Sequence, residues 1–232
     1  MTTSKNIITV SENTKGRDFF VGDIHGCYDL FLHHLNQINF NFLTDRMFSV
    51  GDLTDRGPSS EECVRLITEG WFYAVRGNHE DMCIGVHRGG WPMNNFISNG
   101  GQWFTNLKEF PDRQERIVQL MEQLPLLIEV PYKGKMIGVL HADAVVDSWN
   151  EFRGDFDQES VIWGRTRVGN EDWDTRPVAD IDAVVVGHTP VKKMLVSANV
   201  VYIDTGAVYG KGLTIIEASE VLRLVESNNE KT

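Results

Sequence analysis

Short apolar runs rich in β-branched and aromatic residues recur along the chain, and each ends abruptly at a glycine, aspartate, asparagine, arginine or histidine. The six runs lie at residues 18–21, 47–50, 72–75, 137–140, 183–186 and 200–203. Their apolar residues are continuous rather than alternating, which is typical of strands that are buried on both faces. The pattern therefore predicts an α/β protein with a deeply buried sheet core.

Helical spacing separates the first three runs. Leu30, Leu35 and Ile38 recur at helical intervals in the first gap, and Cys63 with Leu66 does so in the second. Right-handed crossovers between such units make the first strands parallel, and their carboxyl ends then meet at one edge, where open α/β sheets bind ligands. Further along, we expect residues 91–130 to be mostly helical and residues 213–216 and 221–225 to form a closing hairpin.

The length of 232 residues suits one domain. We divide the chain into a polar N-terminal segment at 1–16, a single domain at 17–225 and a polar tail at 226–232. Internal repeats and low-complexity tracts, which would indicate a modular protein, are absent from the sequence.

The composition and charge of the chain argue against several classes of function. The chain has 33 acidic and 22 basic side chains and a net charge of −11, which argues against a nucleic-acid partner. No apolar run approaches the roughly 18 residues of a membrane helix, and the first residues lack the order of a secretion signal. Three cysteines without Cys-x-x-Cys spacing fit a reducing compartment. We therefore expect a cytoplasmic protein, a monomer by default, with neither a nucleic-acid nor a membrane partner.

Potential metal ligands follow the apolar runs directly. Asp23 and His25 are two residues apart, a spacing that points both side chains to the same side of an extended chain. The carboxylate of Asp52 has two oxygens and can bridge two cations. Nitrogen and oxygen donors without a thiolate suit manganese, iron or zinc better than calcium. The set predicts two adjoining metal sites: Asp23, His25, Asp52, Asn78, His141 and His188.

Charged neighbours of these ligands indicate phosphoryl chemistry. Arg56 and Arg76 are planar donors that can grip a phosphate with two hydrogen bonds. His79 follows a predicted ligand without being needed as one, so it is free to protonate a leaving alkoxide as a general acid. Asp55 can orient and charge that imidazole. A two-metal site clamps the attacking and phosphoryl oxygens together, which is the positioning that phosphoryl transfer requires.

Several segments resemble the signature of the metal-dependent serine/threonine protein phosphatases, within the metallophosphoesterase superfamily, and are most similar to its short phage and bacterial members. They are Gly22-Asp-Ile-His-Gly26, Gly51-Asp-Leu-Thr-Asp-Arg-Gly57, Arg76-Gly-Asn-His-Glu80, His141 and Gly187-His-Thr-Pro190. The likeness covers roughly residues 17–217. It implies that the 17–225 domain is a calcineurin-like metallophosphoesterase sandwich, an α/β fold with two mixed β-sheets flanked by α-helices.

The resemblance also implies roles. Asp23, His25 and His188 would hold one metal, and Asn78 with His141 the other, with Asp52 bridging. It adds Arg165, in Trp163-Gly-Arg165, as a third phosphate-binding arginine, although Arg167 lies nearby. The implied cofactors are two divalent ions, most simply Mn²⁺, with iron or zinc as alternatives, and the implied reaction is single-step hydrolysis by metal-bound water.

The implied substrates are proteins phosphorylated on serine or threonine, and also on tyrosine. Two alternatives remain open at this stage. One is a dinucleoside tetraphosphate hydrolase of the same superfamily. The other is a module that binds phosphoproteins without cleaving them.

Overall fold

The computed structural model describes residues 6–168 and 176–230, which form two β-sheets with helices packed on their outer faces. The strands are β1 (Ile7–Thr9), β2 (Asp18–Val21), β3 (Arg46–Ser49), β4 (Phe72–Ala74), β5 (Leu127–Tyr132), β6 (Lys135–Val139), β7 (Ala183–Val186), β8 (Leu195–Ser197), β9 (Val200–Tyr202) and β10 (Ile215–Glu217). The helices are α1 (Tyr28–Gln37), α2 (Ser60–Arg65), α3 (Asn78–Arg88), α4 (Met93–Ser98), α5 (Gln102–Thr105), α6 (Pro111–Glu122), α7 (Gln158–Trp163) and α8 (Ala218–Asn229). Short 3₁₀ turns lie at Leu66–Thr68, Trp149–Arg153 and Ala207–Tyr209.

Both sheets are mixed. The six-stranded sheet has the order β1-β5-β6-β7-β9-β8, and the four-stranded sheet has the order β10-β2-β3-β4. In the smaller sheet β2, β3 and β4 run parallel and β10 runs antiparallel to β2. In the larger sheet β6, β7 and β9 run parallel. Each sheet therefore has a block of parallel strands whose carboxyl ends share one edge.

The main core lies between the two sheets. Phe20 and Phe48 of the smaller sheet pack into one buried cluster with Val139, Val185 and other apolar side chains of the larger sheet. Neighbouring strand residues such as Phe19 belong to a second cluster, with α1 and α2 on the outer face. Strand residues thus alternate between two buried surfaces, which explains why the runs are continuously apolar. The sandwich expected from the sequence is confirmed.

All six predicted runs contain a strand, and the first three strands are parallel as predicted. The helical prediction for 91–130 holds for α4, α5 and α6 but is wrong at its end, where β5 begins at Leu127. The sequence patterns also missed β1, β5 and β8. These strands, of three to six residues, take their places from pairing with strands already buried.

The predicted closing hairpin is wrong. Residues 213–216 contribute β10, but residues 221–225 lie in the middle of helix α8. Ala218, Val221 and Val225 are spaced by three and four residues, and all three pack into the core between the sheets. Helix α8 also continues through residues 226–229, which we had assigned to the polar tail, while β1 lies in the polar segment at 1–16.

The described part of the chain contains no helix that is long and apolar enough to cross a membrane. The three cysteines are free thiols, with Cys63 and Cys83 buried and Cys27 half-buried.

Candidate metal centre

The six predicted metal ligands converge at the carboxyl ends of the parallel strands. Each follows a strand directly or within a few residues, and both sheets contribute. The smaller sheet supplies the ligands after β2, β3 and β4, and the larger sheet supplies those after β6 and β7. All six side chains are buried: Asp23, His25, Asp52, Asn78, His141 and His188.

Asp52 is the centre of this cluster. One of its carboxylate oxygens lies 3.6 Å from Nε2 of His25, and the other lies 3.4 Å from Nε2 of His141. The side-chain oxygen of Asn78 lies 2.9 Å from His141 Nε2 and 2.8 Å from His188 Nδ1. Two groups of potential ligand atoms, each within 4.8 Å of one another, share Asp52. A carboxylate between two imidazole groups is suited to bridge two cations.

Asp23 joins the cluster through the backbone. Its carboxylate oxygens accept hydrogen bonds from the backbone N–H of His188 at 3.1 and 3.2 Å. A Cβ atom added at Gly187 would overlap an oxygen of Asp23. The glycine that ends β7 therefore allows the loop of the larger sheet to approach the carboxylate from the smaller one.

Backbone carbonyls set the tautomers of two histidines. Nδ1 of His25 lies 2.8 Å from the carbonyl oxygen of Thr54, and Nδ1 of His141 lies 2.6 Å from that of Val50. A carbonyl only accepts, so Nδ1 must carry the proton in both rings. The Nε2 lone pairs then point toward Asp52, as metal ligation requires.

The loops that carry the site are conformationally strained. His25, Asp52, Asp55, Arg56 and His188 all have positive φ angles between 45° and 71°. Non-glycine residues seldom occupy this region, and such strain persists only where the surrounding structure enforces it. Five such residues cluster in the loops at the carboxyl ends of the strands, which indicates a functional site.

Protonation states favour cation binding. Burial first, opposed by the charge of Asp52, lowers the pKa of His25 to about 3, and burial together with His141 lowers that of His188 to about 3. Burial would raise the pKa of Asp52, but the facing His141 and His79 hold it well below its usual range. The cluster thus offers neutral imidazoles and an ionised carboxylate, the states that ligate metals.

His141 is the exception among the histidines. Burial lowers its pKa, but the charge and hydrogen bonding of Asp52 outweigh this and leave the pKa raised. Protonation of this ring competes with metal ligation, so metal binding should weaken as the pH falls.

His79 and Asp55 form a closed pair beside Asp52. Nδ1 of His79 lies 2.7 Å from an oxygen of Asp55, and both side chains are buried, at 1% and 0% exposure. Nε2 of His79 faces the cluster, 3.9 Å from Asp52. This distance also groups His79 with His25 and Asp52 as potential ligands. Its assignment as a general acid rather than a ligand stays a prediction.

The predicted arginines occupy different surroundings. Arg56 is exposed and its Nη1 lies 2.7 Å from His25 Nε2, so it reaches the cluster. The Arg76 guanidinium instead donates to the carbonyls of Glu122 and Leu124, at 3.2 and 3.5 Å, and lies 3.8 Å from Asp81. Its predicted contact with phosphate would require it to leave these partners.

Arg165 and Arg167 differ in exposure. Arg165 is exposed, and it lies close enough to His188 for its charge to lower the pKa of that ring, after the larger effects of burial, His141 and Asp52. Arg167 is 1% exposed, and its backbone N–H donates to Asp143. Of the two arginines considered, Arg165 is therefore the one placed to meet an anion.

Two buried carboxylates near the cluster, Glu80 and Asp204, have no role among the sequence-based predictions. Glu80 accepts hydrogen bonds of 2.9 Å from the backbone N–H groups of Asp52, Leu53 and Gly77, so it ties the β3 loop to the start of α3. Burial and the charge of Asp52 raise its pKa to about 7. The signal was its place three residues after Gly77, where a helix-capping glutamate occurs.

Asp204 is the second buried carboxylate without a predicted role. It directly follows the last apolar run, is 3% exposed, and its charge raises the pKa of Asp23 after the larger effect of burial. The rule that located the other ligands, a polar residue closing a buried strand, applies equally to Asp204.

The donor set fits divalent ions. His188 Nε2 is buried and has no hydrogen-bond partner within residues 6–168 and 176–230. Burying an unpaired polar atom is costly, and a metal ion would satisfy it. Nitrogen and oxygen donors together suit Mn²⁺, iron or zinc. The residues that would hold two ions are Asp23, His25, Asp52, Asn78, His141 and His188.

Comparison with known proteins agrees with this geometry. The serine/threonine-protein phosphatase 1 of Salmonella typhimurium is 38% identical over 196 residues, which cover 84% of this chain and 88% of that protein. An asymmetrical bis(5'-nucleosyl)-tetraphosphatase of Halalkalibacterium halodurans is 29% identical over 227 residues, covering 87% and 89%. A solved structure of a candidate diadenosine tetraphosphatase aligns with a TM-score of 0.66 at 24% identity, covering 93% of this chain and 94% of that one. Residues 19–192 match the calcineurin-like phosphoesterases, and the chain belongs to that family.

Proposed function

We propose that the chain is a metal-dependent phosphomonoesterase that removes phosphate from phosphoserine and phosphothreonine in proteins, and from phosphotyrosine as well. The observation that carries the proposal is the buried His79–Asp55 pair, which faces the cluster of potential metal ligands at Asp52. A proton donor next to a cation site is what cleavage of an alkyl phosphate requires. The 38% identical Salmonella typhimurium relative, named a serine/threonine-protein phosphatase, supports the substrate class.

Two bound divalent ions would lower the pKa of a coordinated water and neutralise charge on the phosphoryl oxygens. The chain's own residues do the rest. Asp55 holds the His79 ring through Nδ1, which leaves Nε2 directed at the cluster. His79 then delivers a proton from Nε2 to the departing serine or threonine oxygen. Oδ2 of Asp55, which lies 2.7 Å from Nδ1, would stabilise the imidazolium before that transfer.

The arginines bind and orient the phosphate. Arg56 reaches the cluster beside His25, and Arg165 lies close enough to His188 to lower the pKa of that ring. Two planar donors near the cluster would fix the phosphate oxygens for displacement. Arg76 would join them only after leaving the carbonyl oxygens of Glu122 and Leu124.

A second candidate is hydrolysis of dinucleoside tetraphosphates. It is favoured by the relative of that name from Halalkalibacterium halodurans, although the identity of 29% is lower than that of the serine/threonine phosphatase. The metal cluster would serve either reaction, because both break a phosphoester or phosphoanhydride bond at a cationic centre. Substrate assays separate the two candidates.

The test uses the purified chain after chelation and reloading with Mn²⁺. Turnover is measured on a phosphoserine peptide, p-nitrophenyl phosphate and a dinucleoside tetraphosphate. We expect activity to vanish on chelation, return with metal, and favour the monoesters. Preferred cleavage of the dinucleotide would establish the second candidate. Phosphopeptide binding without any turnover would instead indicate a non-catalytic module.

Metal identity, location and assembly belong to the same proposal. We take Mn²⁺ as the working metal, with iron and zinc compared in the reloading series. The three free cysteines support a cytoplasmic location, and the net charge of −11 supports a protein that does not engage nucleic acid. A monomer is the default, and phosphoproteins are the proposed partners. Gel filtration and metal analysis of the isolated protein check these points.

A further inference from the structure

We propose that Trp103 is a positioning residue for catalysis, which holds the Asp55 carboxylate in the orientation that aims His79. This inference rests on the proposed function, since it assumes that His79 is the general acid. Trp103 lies on α5, a different part of the chain from the loops that carry the metal ligands. The indole Nε1 donates a hydrogen bond of 2.6 Å to Oδ1 of Asp55.

The contact completes a three-membered chain of side chains. Oδ2 of Asp55 lies 2.7 Å from Nδ1 of His79, and Oδ1 takes the indole N–H. Each carboxylate oxygen therefore has one partner, and the two partners lie on different elements. With both oxygens held, the carboxylate cannot rotate about its Cβ–Cγ bond without losing a hydrogen bond.

The chemistry of indole makes this contact directional. A tryptophan N–H donates and never accepts, so Oδ1 is the acceptor in this contact. Asp55 is fully buried, so no water replaces a lost donor cheaply. The indole thus holds one carboxylate oxygen in place while the other faces Nδ1 of His79.

A second contact fixes the same turn. Gly100, three residues before Trp103, accepts a hydrogen bond of 3.3 Å from the backbone N–H of Arg56. A side chain at Gly100 would overlap the backbone of Arg56, so the two segments touch directly. Asp55 and Arg56 have φ angles of 71° and 69°, a strained turn that needs outside support. Residues 100–103 supply it from the α4–α5 segment.

The decisive experiment compares leaving groups. A serine alkoxide must be protonated as it leaves, whereas p-nitrophenolate is a stable anion that leaves without a proton. Trp103→Phe keeps an aromatic ring and removes the N–H. We expect kcat on a phosphoserine peptide to fall about tenfold more than kcat on p-nitrophenyl phosphate, in the range seen when an outer partner of an active-site group is lost. Equal losses on both substrates would refute the proposal.

Controls separate this effect from damage to the fold or to the metal centre. Trp71→Phe changes a tryptophan in the aromatic cluster with Phe31 and Phe40, and should leave the ratio of the two kcat values unchanged. Metal content of Trp103→Phe should match wild type. In an Asp55→Asn background, Trp103→Phe should cause no further change in the ratio, because both act through one carboxylate. Additive losses would contradict the proposal.

The proposed function and this inference fail differently. If wild type cleaves no monoester, the function is wrong. If His79→Asn lowers kcat more on the phosphoserine peptide than on p-nitrophenyl phosphate but Trp103→Phe does not, only the positioning role is wrong.

A second measurement does not depend on the Trp103→Phe variant. The six tryptophans have six indole N–H signals in a ¹⁵N-resolved spectrum. Asp55→Asn should move one of them far more than the others, because the charged acceptor becomes neutral. Uniformly small shifts would refute the contact.

Discussion

His79 has its two ring nitrogens committed to different tasks. Nδ1 lies against Asp55, and Nε2 faces the cluster 3.9 Å from Asp52. A general acid and a metal ligand would both use Nε2, so distance alone does not separate the two roles. The roles do differ in what their loss removes.

His79→Asn should lower kcat for a phosphoserine peptide by about 10²–10⁴-fold, the usual contribution of a general acid. Metal content should remain near that of wild type, because six other residues supply the predicted ligand set. Steady-state kinetics with elemental analysis measures both quantities. Loss of a metal equivalent from the variant would show that His79 is a ligand instead.

The surroundings of Gly187 leave no space for a side chain. A Cβ atom there would overlap an oxygen of Asp23 and the side chain of Val50. Gly187→Ala should therefore displace the Asp23 carboxylate and weaken metal binding by about 10–100-fold. Metal titration followed by calorimetry measures the change.

The matched control is Gly70→Ala, because nothing lies within 4 Å of a Cβ atom at that position. Its metal affinity should equal that of wild type. Wild-type affinity in Gly187→Ala would show that the loop after β7 can move away without disturbing Asp23.

At the scale of elements, α8 shows how packing decides between two readings of one segment. In the predicted hairpin, the ends and the centre of Val221-Leu-Arg-Leu-Val225 would share one face of a strand, which would place Arg223 beside the two valines. In the structure Arg223 is exposed while Val221 and Val225 are buried, as a helical turn requires.

Val221→Ala should lower the free energy of unfolding by about 2 kcal/mol, since it removes buried methyl groups between the sheets and leaves a cavity. Urea denaturation measures the loss. Glu226→Ala, on the exposed side of the same helix, should change it by less than about 0.5 kcal/mol. Equal losses in the two variants would contradict the packing of α8.

At the scale of the whole molecule, buried carboxylates determine how the fold responds to acid. Asp45, just before β3, accepts hydrogen bonds from the side chain and backbone of Arg17 and from the backbone of Asn41. Burial alone would raise the pKa of Asp45, but these bonds hold it below its ordinary value of 3.8. The pKa of Asp45 is therefore lower in the folded state than in the unfolded state. Its contribution to stability is complete above the unfolded pKa and disappears as the pH falls through the folded pKa.

Asp45→Asn should therefore cost about 1–3 kcal/mol of stability at pH 7, where the lost bonds are charge-assisted. The difference from wild type should shrink below about pH 4 as Asp45 itself becomes protonated. Denaturation curves at several pH values measure this. Asp155→Asn, at an exposed position, serves as the control and should show no such dependence. A difference that is constant with pH would rule out the ionised form of Asp45 as the stabilising species.

Most of the site could be predicted from the sequence because its residues follow buried strands, which have a simple pattern. A strand covered on both faces must be continuously apolar, so a polar residue that closes it stands out, and six such residues formed a ligand set. The same pattern includes Asp204, which directly follows the last apolar run and has no predicted role. Edge strands such as β1 and β8 are short and partly exposed, so no pattern marked them.

The amino-acid sequence by itself determined the buried strands, the parallel order of the first three and the six predicted ligands that follow them, since these depend on local polarity and chain order, whereas the two-sheet sandwich was expected from the family resemblance. Only the tertiary structure decided that α8 is a helix, that Arg76 donates to the carbonyl of Glu122, and that Trp103 meets Asp55. Trp103 and Asp55 are 48 residues apart. Contacts of this kind depend on how separate elements pack against one another, and no local pattern of polarity records the direction in which a side chain points once they do.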